Sequence, residues 1–549
     1  MNQVNWLNIG LSFVGGLGLF LFGMEYMGEG LQKAAGPKMK KLLSILTSNR
    51  LLGVLVGAGV TALIQSSSAT TVMVVGFVNA GLMSLTQAVG VIMGANVGTT
   101  VTAWIVSLGE WTSFLKPSVL APLCIAIGVG LIMFSKKEKM KHTGAILFGF
   151  GTLFLGLDTM SDAAKPLREL EEVKNLFIVL GSNPILGILV GAGVTAIIQS
   201  SSASVGILQA LALASLVPWN SAIYIILGQN IGTCITAILS SVGANLNAKR
   251  AAAIHFMFNM IGSVLFGIVA VILFKFVVPE LGAQMIGVTQ ISVVHTVFNI
   301  VNTILLFPFA GTLVYLAEHL VKGKNEAKTG ELRHMDERIF ETPAFALENV
   351  ITEVIRMGEM AKVSVEVAIQ ALFEKNKDKV EQVFETEREI NAFQKGLNHY
   401  LIKLGNVSLS EDESLGITNL FHIISDIERI GDHADNIAEL AQNLIQDETV
   451  FSEEARRELL LITQTGINCL EMALEAYVVG DVALARKAVE LEDNVDKMEK
   501  NMRASHIKRL VQNACEPMAG IVFIDTISNV ERISDHASNI AGVVLDENK

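Results

Sequence analysis

The sequence predicts an all-α protein: a polytopic membrane domain of two inverted repeats with re-entrant hairpins, followed by tandem three-helix bundles. Three observations predict it. The 549-residue chain is 51% hydrophobic with a mean hydropathy of +0.50, above the roughly 45–50% apolar content of soluble proteins, and its long apolar runs stop near residue 320. Charge divides at the same place. Residues 1–328 hold 19 Lys+Arg against 12 Asp+Glu, and residues 329–549 hold 22 against 41. Each half also repeats itself. "VGAGVTALIQSSSA" (56–69) returns as "VGAGVTAIIQSSSA" (190–203), and "DIERIGDHADNIAE" (426–439) returns as "NVERISDHASNIAG" (529–542). The expected domains are a membrane part over 1–320, with repeats at about 10–134 and 143–274, a linker over 321–341, and a soluble part over 342–549.

Taken in order, residues 10–31 read as a retained span, because no basic residue precedes them and no small-residue cleavage site follows. The segment 32–50 carries Lys33, Lys38, Lys40, Lys41 and Arg50 without an acid, so it is expected on the cytoplasmic side. Residues 51–80 read as a hairpin. Spans near 82–107, 117–134 and 143–160 follow, then a second hairpin over 185–215, then spans near 219–241, 251–274 and 290–316. The basic segments 135–142, 249–250 and 322–328 place the two hairpins on opposite faces, as inverted repeats require.

Each hairpin interrupts an apolar run with Gly, Gln and three Ser, at a length too short for two crossings. Two half-helices with a polar tip fit this pattern. The N–H groups that open the second half-helix favour an anion. Ser hydroxyls and the Gln amide can serve either an anion or a cation. The competing reading is close helix packing by small residues. A serine nucleophile has no Gly-x-Ser-x-Gly elbow and no acid–base pair beside it, so no enzyme is expected. A second repeated element, "GANVGTT" (94–100) and "GQNIGTC" (228–234), suggests an unwound helix whose oxygens suit Na⁺, or a glycine-rich crossing with Asn as glue. His255 with Asn259 and His295 with Asn299 stand four apart on one helix face each, with a bonding role favoured. Glu25 and Asp158 occupy matching repeat positions, near span ends or as coupling-ion ligands.

Over roughly 10–318 these motifs resemble the type II sodium–phosphate cotransporter family, whose hallmark is a duplicated QSSS on inverted re-entrant hairpins. The resemblance implies symport of inorganic phosphate with Na⁺. It implies that Gln65, Ser66, Ser67 and Ser68, with Gln199, Ser200, Ser201 and Ser202, line the phosphate and sodium site. Asn96, Gly98, Thr99, Asn230, Gly232 and Thr233 would support or complete it. The halves depart from one another at Thr70 and Ser204. A divalent anion in a site with few fixed positive charges is costly unless cations enter with it, which agrees with cotransport.

Thr342 followed by Pro343 reads as a helix start, and helical periodicity continues to the C-terminus. Two copies of about 100 residues each suffice for three-helix bundles. Each copy stacks carboxylates four apart, Glu428 with Asp432 and Glu531 with Asp535, with Asn436 and Asn539 one turn on. Glu387 with Asn391, and Glu492 with Asp496, make comparable pairs. Such pairs repel unless a metal or an arginine, here Arg429 or Arg532, neutralises them. Over about 340–545 the sequence resembles the PhoU family of phosphate regulators. That resemblance implies metal clusters at the acidic motifs, of unspecified metal, and a tail that senses or gates transport, forms homo-oligomers or recruits a regulatory protein.

The dispersed Cys124, Cys234, Cys469 and Cys515 fit a reducing compartment for the tail. The acidic tail argues against nucleic-acid binding. The expected location is the cytoplasmic membrane, with the tail in the cytoplasm. Rival expectations are transport of another oxyanion, coupling to H⁺, or a phosphate sensor without flux.

Overall fold

A computed structural model describes residues 6–44, 50–111, 117–323, 332, 335–341, 343–407, 409–512 and 515–547. The described residues are helical and contain no β-strand. The chain divides into two compact units, Met1–Glu326 and Ala327–Lys549.

In the first unit the elements are α1 (Trp6–Ser44), α2 (Arg50–Ile64), α3 (Ser67–Asn79), α4 (Leu85–Trp111), α5 (Pro117–Phe134), α6 (Glu138–Ala164), α7 (Glu171–Ser182), α8 (Pro184–Ile198), α9 (Ser201–Leu213), α10 (Trp219–Gly232), α11 (Cys234–Ser240), α12 (Leu246–Ile272), α13 (Pro279–Ala283), α14 (Val288–Leu306) and α15 (Ala310–Leu320). Six stretches among the described residues are long and apolar enough to cross a membrane: Trp6–Ala35, Leu85–Leu108, Glu138–Glu169, Trp219–Ser240, Leu246–Val277 and Val288–Leu320. This is a multi-pass membrane protein. The span expected near 117–134 is a shorter apolar helix, Val119–Phe134. The basic stretch after the first span continues α1 as helix to Ser44.

Glycines set the closest packing. Gly16 and Gly23 of α1 lie against Gly156 and Gly149 of α6, where an added Cβ would meet backbone within 2.9 Å. The numbering runs in opposite senses, so the two helices are antiparallel. Gly23 and Gly156 are repeat counterparts, and so are Gly16 and Gly149, so the two contacts exchange under the repeat. The same crossing puts Glu25 and Asp158 at opposite ends of the α1–α6 contact, and they do not form a pair. In each repeat the first hairpin arm packs along the helix that follows the hairpin. A Cβ on Gly94 would lie 2.0 Å from the Val54 carbonyl, and one on Gly228 would lie 2.0 Å from the Ile188 carbonyl.

The second unit holds α16 (Pro343–Glu374), α17 (Lys377–Leu404), α18 (Glu411–Gln446), α19 (Glu453–Val479), α20 (Val482–Val511) and α21 (Pro517–Glu547). Four of their N-termini are capped by side chains. Asn376, Ser452 and Asp481 accept first-turn N–H groups, and Ser410 with Glu413 forms a reciprocal capping box. The N-cap expected at Thr342 lies outside the described residues. Buried Ile423, Ile427, Ile430, Ala434, Ile437 and Ala441 recur on one face of α18, the stripe that closes a three-helix bundle. Helices α16–α18 make one bundle and α19–α21 the other.

Candidate functional site

The two QSSS segments fold alike. Each first arm ends on a glutamine in the left-handed region, Gln65 at φ 60° and Gln199 at φ 59°. That conformation costs a non-glycine residue roughly 1–2 kcal/mol. Ser66 and Ser200 then cap α3 and α9, each accepting the N–H three residues on, at 3.1 and 3.2 Å. A hydroxyl closes each hairpin from arm to arm: Thr61 donates to Thr70 at 2.9 Å and Thr195 to Ser204 at 2.8 Å. The sequence difference at 70 and 204 therefore keeps the hydroxyl that accepts.

The tips meet. Ser67 Oγ lies 3.2 Å from Ser201 Oγ, and Ser68 Oγ donates to the Gln199 carbonyl at 3.2 Å. Ser67 and Ser201 are repeat counterparts, so their contact lies on the local axis relating the halves. The N-terminal residues of α3 and α9 thus meet, and neither tip carries a charged side chain.

The halves differ around this point. Gln65 is buried; its Nε2 donates to the Ala62 carbonyl at 2.5 Å and its Oε1 accepts from Thr102 at 3.0 Å. Ser202 donates to the same Thr102 hydroxyl at 3.3 Å. Thr102 on α4 thereby joins both tips, a link that the sequence reading missed. Gln199 is exposed.

The N-x-G-T elements correct one expectation. In the first copy α4 runs unbroken through 94–100, and in the second the helix is interrupted only at Thr233. Gly98 and Gly232 are used for approach rather than unwinding: a Cβ on either would lie 2.5 Å from a carbonyl of the hairpin arm, Ala58 or Ala192. Asn96 and Asn230 donate to the carbonyls four residues back, at 2.8 and 2.9 Å. Thr233 does the same at 2.9 Å, whereas the buried Thr99 hydroxyl has no partner among the described residues. Asn259 and Asn299 donate to the carbonyls of His255 and His295 at 3.2 and 2.9 Å, and Asn259 also reaches Cys234 Sγ at 3.4 Å.

In the tail, Arg429 lies 3.8 Å from Glu428 and 3.6 Å from Asp432, and Arg532 lies 3.4 Å from Glu531 and 3.1 Å from Asp535. The carboxylates still crowd. Burial and then Asp432 push the Glu428 carboxyl above its usual range. Burial and then Asp535 do the same to Glu492 and to Glu531. Asp435, absent from the sequence reading, is pushed up to about 6 by burial and by Glu387, Glu439 and Asp432. Asn391 bonds its neighbour Glu387, and Asp496 pairs with Lys500 at 2.6 Å. Asn436 and Asn539 do not join the stacked carboxylates of their own helices. They turn to the other bundle, where Asn436 donates to Asn529 at 3.3 Å and Asn539 to Asp426 at 3.1 Å, beside His433 and His536 on the same two acceptors at 2.8 Å. Hard carboxylate oxygens suit a hard cation. Among the described residues, however, no group of three or more His, Cys, Asp or Glu is arranged to hold a metal, and arginines span both motifs. As arranged, the residues do not fit a metal cluster.

Compared with known proteins, the chain matches the family described as "Na+/Pi-cotransporter" over residues 19–162 and 168–292, one tip in each segment. A Bacillus subtilis relative, named only as the uncharacterized protein YqeW, is 30% identical over 323 residues, 57% of this chain and 99% of that protein. The chain belongs to the Na⁺/Pi-cotransporter family. The chain also carries the PhoU domain, matched at 354–441 and 459–544. A Salmonella typhimurium protein named "Putative inorganic phosphate export protein YjbB" is 25% identical over 98% of this chain and 97% of its own length. A Thermotoga maritima PhoU homolog is 26% identical over 35% of this chain and 83% of its own length. The crystal structure of PhoU from Pseudomonas aeruginosa is 24% identical, covers 37% of the chain and 98% of its own, and superposes with a TM-score of 0.35.

Proposed function

We propose that this cotransporter moves inorganic phosphate across the cytoplasmic membrane together with Na⁺, at the point where the two serine tips meet. The observation that carries the reading is the Ser67–Ser201 contact between repeat counterparts. Helix N-termini and hydroxyls favour an oxyanion there. The neutral tips leave its charge uncompensated, and sodium ions supply the compensation. Gln65 through Ser68 and Gln199 through Ser202 line the site, with Asn96, Thr99, Thr102, Asn230 and Thr233 behind them and Gly98 and Gly232 holding the hairpins close. The antiparallel α1–α6 pair supports inverted repeats, because repeat counterparts related by an in-plane axis run in opposite directions. On this reading α2–α3 and α8–α9 are re-entrant hairpins entering from opposite faces, residues 1–320 are the transport domain, and 342–549 is a cytoplasmic regulatory domain on a 321–341 linker. The chain performs no catalysis. The name of the Salmonella relative favours export as the working direction.

Ion replacement tests the coupling. Phosphate flux through reconstituted protein is expected to require Na⁺ and to stop when K⁺ or choline replaces it. Equal flux without Na⁺ would overturn sodium coupling. Saturable phosphate binding without flux would favour a sensor.

A further inference from the structure

A second oxygen cluster lies apart from the serine tips, where α4, α9 and α14 meet. Ser107 Oγ and Ser292 Oγ are 2.5 Å apart. The Ala103 carbonyl lies 3.0 Å from the first and 2.8 Å from the second. The Val288 carbonyl lies 3.5 and 3.3 Å from the same two hydroxyls. The Gln209 amide completes the group, its Nε2 3.0 Å from Ser292 Oγ and 3.1 Å from the Ala103 carbonyl. Ser107, Gln209 and Ser292 are each fully buried, and Gln209 Oε1 has no hydrogen-bond partner among the described residues.

We propose that these residues bind a monovalent cation of sodium's size, a role that rests on the coupling reading above. Two oxygens held at right angles about 2.4 Å from one cation lie about 3.4 Å apart, for the bond lengths of a hard cation. The separations here run from 2.5 to 3.5 Å, so a bound cation requires the closest pair, Ser107 and Ser292, to part by about 1 Å. Rotating the Gln209 amide about its last bond exchanges its O and N and presents five oxygens to one another. The Ala103 and Val288 carbonyls keep their helical N–H bonds. The two hydroxyl protons are then the only side-chain donors among the five oxygens, and a cation can bind the lone pairs that remain. A buried amide oxygen left without a partner costs about 1–3 kcal/mol, which a bound cation removes. Every ligand is neutral. That suits a single charge, since divalent sites draw on carboxylates. The site has no twin, because Gln209 corresponds to Val75 in the first repeat and α14 follows both repeats. It therefore adds one ion to whatever the paired tips hold.

The test is binding of radiolabelled Na⁺ to the purified full-length chain in detergent, without phosphate, in a Ser67→Ala/Ser201→Ala background that removes the tips. Saturable binding is expected to remain. Ser292→Ala and Gln209→Leu are each expected to weaken it about tenfold or more, the scale on which altered cation sites lose affinity. Ser292→Thr, which keeps the hydroxyl, is expected to retain it. So is Thr296→Ala, which loses the bond from Trp104 and its own donation to the Ser292 backbone carbonyl but removes no oxygen of the cluster. Size-exclusion elution reports folding, and if one variant fails to fold the other decides. Binding unchanged by both variants, or absent from the tip-deficient background, would overturn the site. Sodium-independent phosphate flux would defeat the coupling reading and leave this measurement to decide the site alone.

Discussion

At the tips, a glutamine occupies a backbone conformation that suits glycine. Gln65 and Gln199 both pay for a left-handed turn, so their side chains contribute what glycine cannot. Gln65→Gly is expected to leave the melting temperature within a few degrees of the wild type, since relief of roughly 1–2 kcal/mol of strain offsets the lost Thr102 bond. Phosphate uptake is expected to fall about tenfold or more, as for loss of a ligand-orienting group. Uptake equal to wild type would remove the side chain from the site. These glutamines and serines were legible in the sequence because four polar residues inside an apolar run demand a reason. Thr102 was not legible, because a lone threonine in a membrane helix usually bonds its own backbone. Asn436 was misread for a geometric reason. Steps of four residues drift about 40° each on a helix, so Asn436 has rotated away from Glu428. Asp435, seven residues on, returns to within about 20° of it.

Helix packing is where glycine substitutions become decisive. Gly228→Ala sets a Cβ 2.0 Å from the Ile188 carbonyl, whereas Gly59→Ala meets nothing within 4 Å. Thermal unfolding is expected to show Gly228→Ala destabilised by about 1–3 kcal/mol or more and Gly59→Ala unchanged or stabilised by about 0.5–1 kcal/mol. Equal effects would mean that the hairpin arm does not press on α10 as described. In the tail, the folded Asp435 holds its proton more tightly than the unfolded chain does. Its ionisation therefore withdraws stability as pH rises through about 6. Asp435→Asn is expected to raise the melting temperature of the tail at pH 7.5, and the gain is expected to vanish toward pH 4. A gain that persists at pH 4 would have another cause. Helix existence and order were legible from periodicity and caps. The continuity of α4 was not, because glycine in a sequence does not distinguish unwinding from close approach.

For the whole molecule, duplication is the organising fact. Each half of the membrane unit supplies one tip, and each bundle of the tail grips a residue of the other through a His–Asn pair. The sequence revealed both duplications by their constant offsets, and charge asymmetry suggested opposite orientation. It could not reveal that counterparts touch, because contact across an axis leaves no local pattern. The measurement that tests the shared site most directly is Na⁺-driven uptake of radiolabelled phosphate into proteoliposomes by the wild type, Ser67→Ala, Ser201→Ala and the double variant. One site built from both tips predicts that each single change lowers uptake about tenfold or more and that the double change adds little, as for residues acting as a unit. Single variants that transport at wild-type rates, or losses that multiply as for two independent sites, would contradict it.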